Sequence, residues 1–437
     1  MITVGVDFGT HQTKICYEIV EAGTTFYDVF RFEKPDGNEA LTLPSFVLIR
    51  PDGTFRYGYD AMLDCSGGYK ITYFKQMMFS LTASEKERMS AEVFSILFLA
   101  YFIFKLDGRF GQNSYVVQMG MPTDANPKHY DFCKRQAIKV MASAMFLVRN
   151  GFHGDLEKFL SVPCKTLVEY AQKASGYVSA NFDKARNVYP ILVFPEAYVA
   201  LIPLIQDQKL PNIGPNLFVD IGGGTVDISF FTNQMDVEAG ENRPCLYYYT
   251  SIPYGLNMIT EQDVKRSHNV RVAEHEITRR RVDLYRRQIT TAVDAMMMVL
   301  KEQYINLGKS NLMPFINLCM QVLYDRPVCY SGGGSMFRSL KLPVQSDGKG
   351  FSYKFSQVTT VSELLDHSKL YVDNAMFHVL ATAFALSHRA LSSGARSSEP
   401  DSIWLVSIDN LFGGIRIPNG ASQQAFDRWG RPKRWNW

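Results

Sequence analysis

The chain has 437 residues, of which 46% are hydrophobic and 20% charged, and its formal net charge is +3. A chain of this length suits two lobes with separate cores, and the near-neutral charge argues against nucleic acid or an anionic membrane as the main partner. Its seven cysteines are scattered without a Cys-x-x-Cys pair, which excludes an obvious zinc or disulfide framework and favours a reducing cytoplasm.

The first half of the chain begins with a strand, a turn and a second strand. Residues 2–6 form an apolar, β-branched run that predicts a buried strand. The turn Asp7-Phe8-Gly9-Thr10 follows, and residues 13–19 predict the second strand. Further strands are predicted over residues 45–49 and 115–119, and helices over residues 91–105 and 130–147.

Membrane targeting is not predicted. The first ten residues lack the basic start and apolar core of a secretory signal. The most apolar stretch, residues 94–104, is well short of the ~20 residues that span a bilayer. We therefore expect a buried helix in this stretch.

The second half repeats the strand–turn–strand plan, with the two copies starting near residues 2 and 217. Glycines occupy the turn in each copy, and helices are predicted around them. The predicted strands are residues 189–194, 217–221, 226–231 and 328–331, and the predicted helices are residues 197–205, 274–303 and 373–391.

Each glycine turn follows a strand that ends in an aspartate, in the segments 6–10 and 219–227. Glycine permits positive φ and leaves no Cβ to block a ligand, so backbone N–H groups can surround phosphate oxygens. A neighbouring carboxylate suits Mg²⁺, which binds one or two carboxylates together with phosphate oxygens. The alternative is two ordinary hairpins with turn glycines.

These motifs resemble the superfamily that joins actin, bacterial actin-like proteins, DnaK-type heat-shock chaperones and sugar kinases, and most of all the chaperones' ATPase domain. Residues 7–10 resemble its first phosphate loop, residues 220–227 its second and residues 330–335 its adenosine loop. The resemblance runs in family order over about residues 2–391. Its intervening segments are residues 43–47, 57–61, 72–75, 116–142 and 194–197.

The resemblance implies an α/β, two-lobed actin-like ATPase fold, with duplicated ribonuclease H-like lobes around a central nucleotide cleft. Lobe I would cover residues 1–193 and lobe II residues 194–395, with a C-terminal tail over residues 396–437. The smaller subdomains would cover about residues 41–112 and 234–312. The last helix, about residues 373–391, would pack back toward lobe I.

The resemblance also implies ATP and Mg²⁺ as cofactors. Asp7 and Asp220 would hold the metal through bound waters. Lys75 would neutralise the γ-phosphate, and Glu196 with Asp220 would orient the attacking water. The other implied nucleotide-binding residues are Gly9, Thr10, His11, Lys14, Gly222, Gly223, Gly224, Thr225, Gly332, Gly333, Gly334 and Ser335, with Thr225 also catalytic.

Several of these residues have a simpler interpretation. Lys75 would then be a surface lysine, His11 a structural turn residue and Glu196 a helix N-terminal carboxylate favoured by the helix dipole. Lys14 departs from the chaperone pattern and resembles actin and its bacterial relatives, so either Lys14 or Lys75 is the main phosphate lysine. Glu196 follows Pro195, whereas the family's glutamate precedes a proline.

The function implied is a slow, stand-alone, chaperone-like ATPase that signals its nucleotide state to a protein partner by lobe closure. The alternative is an actin-like cytoskeletal or plasmid-segregation ATPase that polymerises with ATP, and a small-molecule kinase is the weakest candidate. The tail either anchors a partner or another copy of the chain, folds back, or is disordered. It contains all four tryptophans: Trp404, Trp429, Trp435 and Trp437.

Overall fold

The computed structural model describes residues 2–122, 127–206, 216–236, 241–252, 255–256, 279–306, 326–341 and 357–389. The chain divides into two compact units. Unit 1 comprises Met1–Pro122, Lys128–Phe194 and Leu386–Ser392, and unit 2 comprises Thr123–Pro127, Pro195–Ala385 and Ser393–Trp437. Both units contain helices and strands, which confirms the predicted α/β class. The predicted tail and its tryptophans lie outside the described residues.

The strands of unit 1 are numbered in chain order. They are β1 Ile2–Phe8, β2 Gln12–Glu21, β3 Thr24–Val29, β4 Phe32–Glu33, β5 Glu39–Ala40, β6 Leu43–Pro44, β7 Val47–Ile49, β8 Phe55–Tyr57, β9 Tyr69–Ile71, β10 Tyr115–Met121 and β11 Ile191–Pro195, whose last residue begins unit 2. The strands of unit 2 are β12 Asn216–Ile221, β13 Val226–Asp236, β14 Glu241–Ile252, β15 Pro327–Ser331 and β16 Gln357–Thr360.

Helices follow the same numbering. They are α1 Gly58–Leu63, α2 Phe74–Phe79, α3 Glu85–Phe110, α4 Pro127–Phe146, α5 Leu156–Ser161, α6 Cys164–Ala180, α7 Phe182–Val188, α8 Glu196–Val199, α9 Ile202–Gln206, α10 Arg279–Asn306, α11 Val361–Leu364 and α12 Asn374–Ser387. A π-helical turn, Leu147–Gly151, follows α4, and two 3₁₀ turns cover Gly333–Met336 and His367–Leu370.

The main sheets of the two units have the same strand order. In unit 1 the order is β3-β2-β1-β10-β11, with β6 also beside β2, and in unit 2 it is β14-β13-β12-β15-β16. In each sheet the central strand pairs antiparallel with the next strand in the chain and parallel with a later one. The repeated hairpin predicted from the sequence is thus part of a larger repeat of sheet topology.

The core of unit 1 surrounds α3, which extends further than the predicted residues 91–105. Ser84 and Glu87 form a capping box, in which the Glu87 carboxylate accepts the Ser84 N–H at 2.8 Å, so the polar segment before residue 91 is also helical. This helix is long and apolar enough to span a membrane, but 72% of its most apolar 18-residue window is buried within the protein. Its burial agrees with the predicted core helix.

Other predicted elements also differ from the observed ones. The predicted strand 45–49 is interrupted, because Ser45 bonds to the turn after β1. The predicted helix 197–205 is divided into α8 and α9, since Pro203 has no N–H to continue the helical ladder. The predicted helix 373–391 ends at Ser387 in α12, and the backbone beyond it bonds instead to Gln118 and Glu18.

Candidate functional site

The first hairpin places a carboxylate and a lysine side by side at the ends of β1 and β2. Asp7 and Lys14 are cross-strand partners, so their side chains lie on the same face of the sheet. Lys14 Nζ donates to Asp7 Oδ2 at 2.9 Å, and the side chains are only 17% and 11% exposed. The hairpin therefore carries its own cation beside its carboxylate.

The turn between these strands, residues 9–12, is held by Ser45. Its hydroxyl donates to the Gly9 carbonyl at 2.7 Å, and its N–H donates to the His11 carbonyl at 2.8 Å. A Cβ at Gly9 would overlap the Gln12 carbonyl oxygen, so the turn requires glycine there. The sequence predicts Ser45 within a strand, and no sequence signal indicated its hydrogen bonds to the turn. Thr10 is partly exposed on the turn.

Lys75 is buried beside the first hairpin, so its interpretation as a surface lysine is wrong. It is 6% exposed, and its Nζ lies 6.0 Å from the centroid of the Phe8 ring. Phe8 in turn packs on Phe74 and Phe98, with ring centroids 6.0 and 5.9 Å away. The aromatic core thereby fixes α2, and with it Lys75, against the strand that ends in the turn.

His11 packs against the residue that precedes α2. Its ring makes an edge contact with Tyr73 at 4.9 Å between centroids, and Tyr73 has a positive φ of 60°. Burial, together with the nearby Lys14 charge, lowers the pKa of His11 to about 4. The imidazole is therefore neutral near pH 7 and adds no positive charge to the turn.

The second hairpin has the same spacing as the first but pairs two acidic residues instead of an acid and a base. Asp220 pairs with Asp227, and a four-residue turn, residues 222–225, joins β12 to β13. Gly222 N–H donates to the Thr225 carbonyl at 2.9 Å, and the Thr225 hydroxyl donates to Asp227 Oδ2 at 3.3 Å. The two carboxylates thus lie on one face of the sheet, next to a glycine turn. Asp227 is the last residue of the predicted segment 219–227, but no role was predicted for it from the sequence.

A second glycine supports this turn from outside the hairpin. Gly255 N–H donates to the Gly224 carbonyl at 3.2 Å, and Leu256 N–H donates to the Gly222 carbonyl at 2.9 Å. A Cβ at Gly255 would lie 2.6 Å from the Gly223 carbonyl oxygen, so the backbones approach as closely as glycine allows. No role for Gly255 could be predicted from the sequence, because its close approach involves a turn about thirty residues earlier in the chain.

The third glycine segment, residues 332–334, converges with the second hairpin. Ser331 ends β15 beside Asp220 of β12. Gly332 has a φ of 77°, and a Cβ there would overlap the Asp220 carboxylate. Gly334 packs on the Ile221 side chain in the same way. Unit 2 therefore brings Asp220, residues 222–225 and residues 332–334 together, and Ser335 is fully buried behind them.

Glu196 also belongs to unit 2, where it is the first residue of α8. This helix packs on β13 and β14, and Glu196 is partly exposed. The helix has four residues and its N-cap, Pro195, forms no side-chain cap. The structure thus places Glu196 in the unit that contains Asp220.

A magnesium-bound triphosphate requires few protein carboxylates. Among the described residues, no group of three or more His, Cys, Asp or Glu side chains could hold a metal ion. Mg²⁺ needs only one or two protein carboxylates when phosphate oxygens and water complete its shell. Asp220 and Asp227, which face each other across the second hairpin, fit this requirement. Asp7 of the first hairpin forms an ion pair with Lys14.

No protein-family model matches the chain, and no curated protein matches it. Two solved structures with weak similarity are both of MreB 5 of Spiroplasma citri. The AMPPNP-bound structure has 12% identity and a TM-score of 0.44, covering 91% of this chain and 98% of the other. The ADP-bound structure has 13% identity and a TM-score of 0.40, covering 78% and 87%. At such TM-scores these similarities carry no weight for function.

Proposed function

We propose that this chain is a magnesium-dependent ATPase of the superfamily that joins actin and the heat-shock chaperones. The single observation that carries the proposal is the second hairpin, where Asp220 faces Asp227 at a glycine turn and touches Gly332. The two carboxylates, together with the closely packed backbones of residues 222–225, Gly255 and residues 332–334, form a site that suits a cation and its phosphate ligand. The repeated strand order of the two sheets supports a duplicated actin-like fold.

Each residue then has a role consistent with phosphoryl transfer, which depends mostly on positioning and charge neutralisation. Asp220 and Asp227 hold Mg²⁺, which neutralises the phosphates. Residues 222–225 and the turn after Asp7 offer backbone donors to phosphate oxygens, and residues 332–335 bind the adenosine. Lys14 of the first hairpin and Lys75 of α2 supply positive charge, and Glu196 orients the attacking water.

The ion pair between Lys14 and Asp7 favours the actin-like alternative over the chaperone-like function. A lysine at this position resembles actin and its bacterial relatives and departs from the chaperones, and in this protein it is held at 2.9 Å from the turn's carboxylate. We therefore rank an ATPase that polymerises with ATP first. A monomeric, chaperone-like switch that acts on a protein partner is the second candidate.

Calorimetric titration of the full chain with ATP tests the common proposal. We expect binding with Mg²⁺ and a large loss of affinity with EDTA, together with release of inorganic phosphate. Absence of ATP binding in the presence of Mg²⁺ would refute the proposed function. Phosphate transferred to a small acceptor, rather than released to water, would identify a kinase instead.

A further inference from the structure

Behind the third glycine segment lies a chain of buried hydrogen bonds centred on His378 of α12. His378 Nδ1 lies 2.9 Å from the hydroxyl of Ser335, and its Nε2 lies 2.8 Å from the hydroxyl of Ser362. Ser335 is fully buried, and His378 and Ser362 are each 7% exposed. All of these residues belong to unit 2.

The direction of each hydrogen bond follows from the number of available hydrogens. Ser335 Oγ lies 2.7 Å from the Gly332 carbonyl oxygen, which only accepts, so the single hydroxyl hydrogen of Ser335 is used there. Ser335 Oγ must then accept from the ring, and His378 donates from Nδ1. Without that hydrogen placement, two oxygen lone pairs would face each other at 2.7 Å.

The direction of the hydrogen bond at His378 Nε2 follows in the same way. Burial and the nearby Lys341 charge lower the pKa of His378 to about 4, partly opposed by Glu363, so the ring is neutral near pH 7 and has one N–H. Nε2 is therefore an acceptor, and Ser362 donates to it. Thr360 Oγ1, 3.2 Å from Ser362 Oγ, donates to Ser362 in turn.

The result is a one-way series of donors that ends on the backbone of the glycine segment. Thr360 donates to Ser362, Ser362 to His378, His378 to Ser335, and Ser335 to the Gly332 carbonyl, which also accepts the Ser335 N–H at 3.0 Å. Gly332 is in the left-handed region and lies against the Asp220 carboxylate. Its carbonyl orientation is thus fixed by side chains from β16, α11 and α12.

The geometry points to His378 as a positioning residue for adenosine recognition: by donating to Ser335, it holds residues 332–335 in the conformation that accepts the nucleoside. This inference rests on the proposed function, since residues 332–335 are the proposed adenosine segment. His378 itself touches no part of the ligand in this scheme. Its loss should therefore affect ligands with a base and sugar more than ligands that contain phosphates alone.

The test compares ATP with inorganic tripolyphosphate, both titrated with Mg²⁺ into the full chain. Replacing His378 by Leu removes both ring nitrogens, and we expect ATP affinity to fall about tenfold, since a buried hydroxyl loses its donor, with tripolyphosphate affinity changed less than about twofold. His378→Asn keeps an N–H donor near the Nδ1 position and should restore ATP affinity. His378→Gln extends toward the Nε2 position and should not.

A smaller substitution controls for the possibility that His378→Leu misfolds. Ser335→Ala removes the same contact without altering α12, and combined with His378→Leu it should weaken ATP binding no further than either change alone. Ser229→Ala is a matched control, because Ser229 is also a buried serine of unit 2 and, within the described residues, its hydroxyl has no hydrogen-bond partner.

Three outcomes would overturn the inference: unchanged ATP affinity in His378→Leu, equal losses for ATP and tripolyphosphate, or equal behaviour of the Asn and Gln variants. Each of these leaves the proposed function intact if the wild-type chain binds ATP. A wild-type chain that binds neither ligand would instead refute the proposed function, and this inference with it.

Discussion

Lys14 lies directly opposite Asp7 across the first hairpin, with Nζ and Oδ2 2.9 Å apart, at the position that Asp227 occupies opposite Asp220 in the second. Both turns have four residues, so the two hairpins share one backbone plan. At this position the first hairpin, in unit 1, has the Asp7–Lys14 ion pair, and the second hairpin, in unit 2, has two acidic side chains. In the proposed function, this difference in side chains is the reason that the metal is placed at the second hairpin.

Removing a carboxylate from the second hairpin should separate catalysis from folding. Asp220→Asn should lower the hydrolysis rate at least about a hundredfold, because charge stabilisation of the transferring phosphate is lost. The variant should remain folded, because asparagine has nearly the same size and shape as aspartate. Phosphate release and urea unfolding measure the two effects. Asp283→Asn, at an exposed site on α10, is the control, and equal activity of the two variants would contradict the assignment.

The lysine of the first hairpin should contribute to both stability and phosphate binding. Lys14→Met leaves the mostly buried Asp7 carboxylate without this ion pair, and we expect a loss of about 2 kcal/mol in unfolding free energy. ATP affinity should fall as well. Lys70→Met, which removes an exposed lysine bonded to the Met62 carbonyl, serves as the control. The Asp7→Asn, Lys14→Met double variant should recover part of the lost stability; no recovery would argue against the pair.

Substitutions at two glycines with the same φ distinguish the effect of backbone strain from the effect of disrupting the proposed site. Gly332 and Gly53 both have a φ of 77°, but only a Cβ at Gly332 would overlap other atoms, including the Asp220 carboxylate. Replacing either by Ala should cost about 1 kcal/mol of backbone strain. Gly332→Ala should in addition weaken ATP binding at least about tenfold, because the overlap displaces the site. Equal ATP affinity in both variants would place the nucleotide elsewhere.

Acidification should destabilise the protein through two buried histidines. The pKa of His11 and that of His378 are both lowered to about 4, mainly by burial, and by nearby Lys14 and Lys341 respectively. The unfolded chain binds protons first as pH falls below about 6.5, so stability is lost between about pH 6.5 and 4 and levels off below. Each histidine accounts for up to about 3 kcal/mol.

Urea unfolding of the wild type and of a His11→Asn, His378→Asn double variant measures this effect. Asparagine does not titrate, so the variant should show a shallower loss of stability over the same pH range. Carboxylates contribute equally to both proteins and cancel in the difference. Identical slopes would show that the two histidines have the same pKa in the folded and unfolded chains.

Light scattering should decide between the two candidate functions. If the chain polymerises with ATP, scattering should rise after ATP and Mg²⁺ are added and remain low with ADP. Asp220→Asn, which removes a proposed metal ligand, should show less growth at the same ATP concentration. A flat trace with ATP, at concentrations where calorimetry detects binding, would favour the monomeric switch.

The sequence alone predicted the α/β class, the two strand–turn–strand copies and the residues of both glycine turns. These features depend on local pattern: alternating or continuous apolar runs specify strands, and glycines mark tight turns where the backbone approaches closely, as at Gly9. Boundaries were less accurate where the chain bonds to distant segments, as at Ser45 and after Ser387.

Only the tertiary structure revealed the contacts that cross long stretches of chain. Gly255 against the second turn, Gly332 against Asp220, and His378 between Ser335 and Ser362 all join segments that no sequence pattern links. The charge asymmetry of the hairpins likewise depends on strand register, which pairs Asp7 with Lys14 and Asp220 with Asp227. Local propensity fixes which backbone bends, but packing between distant segments decides which side chains meet at the bend.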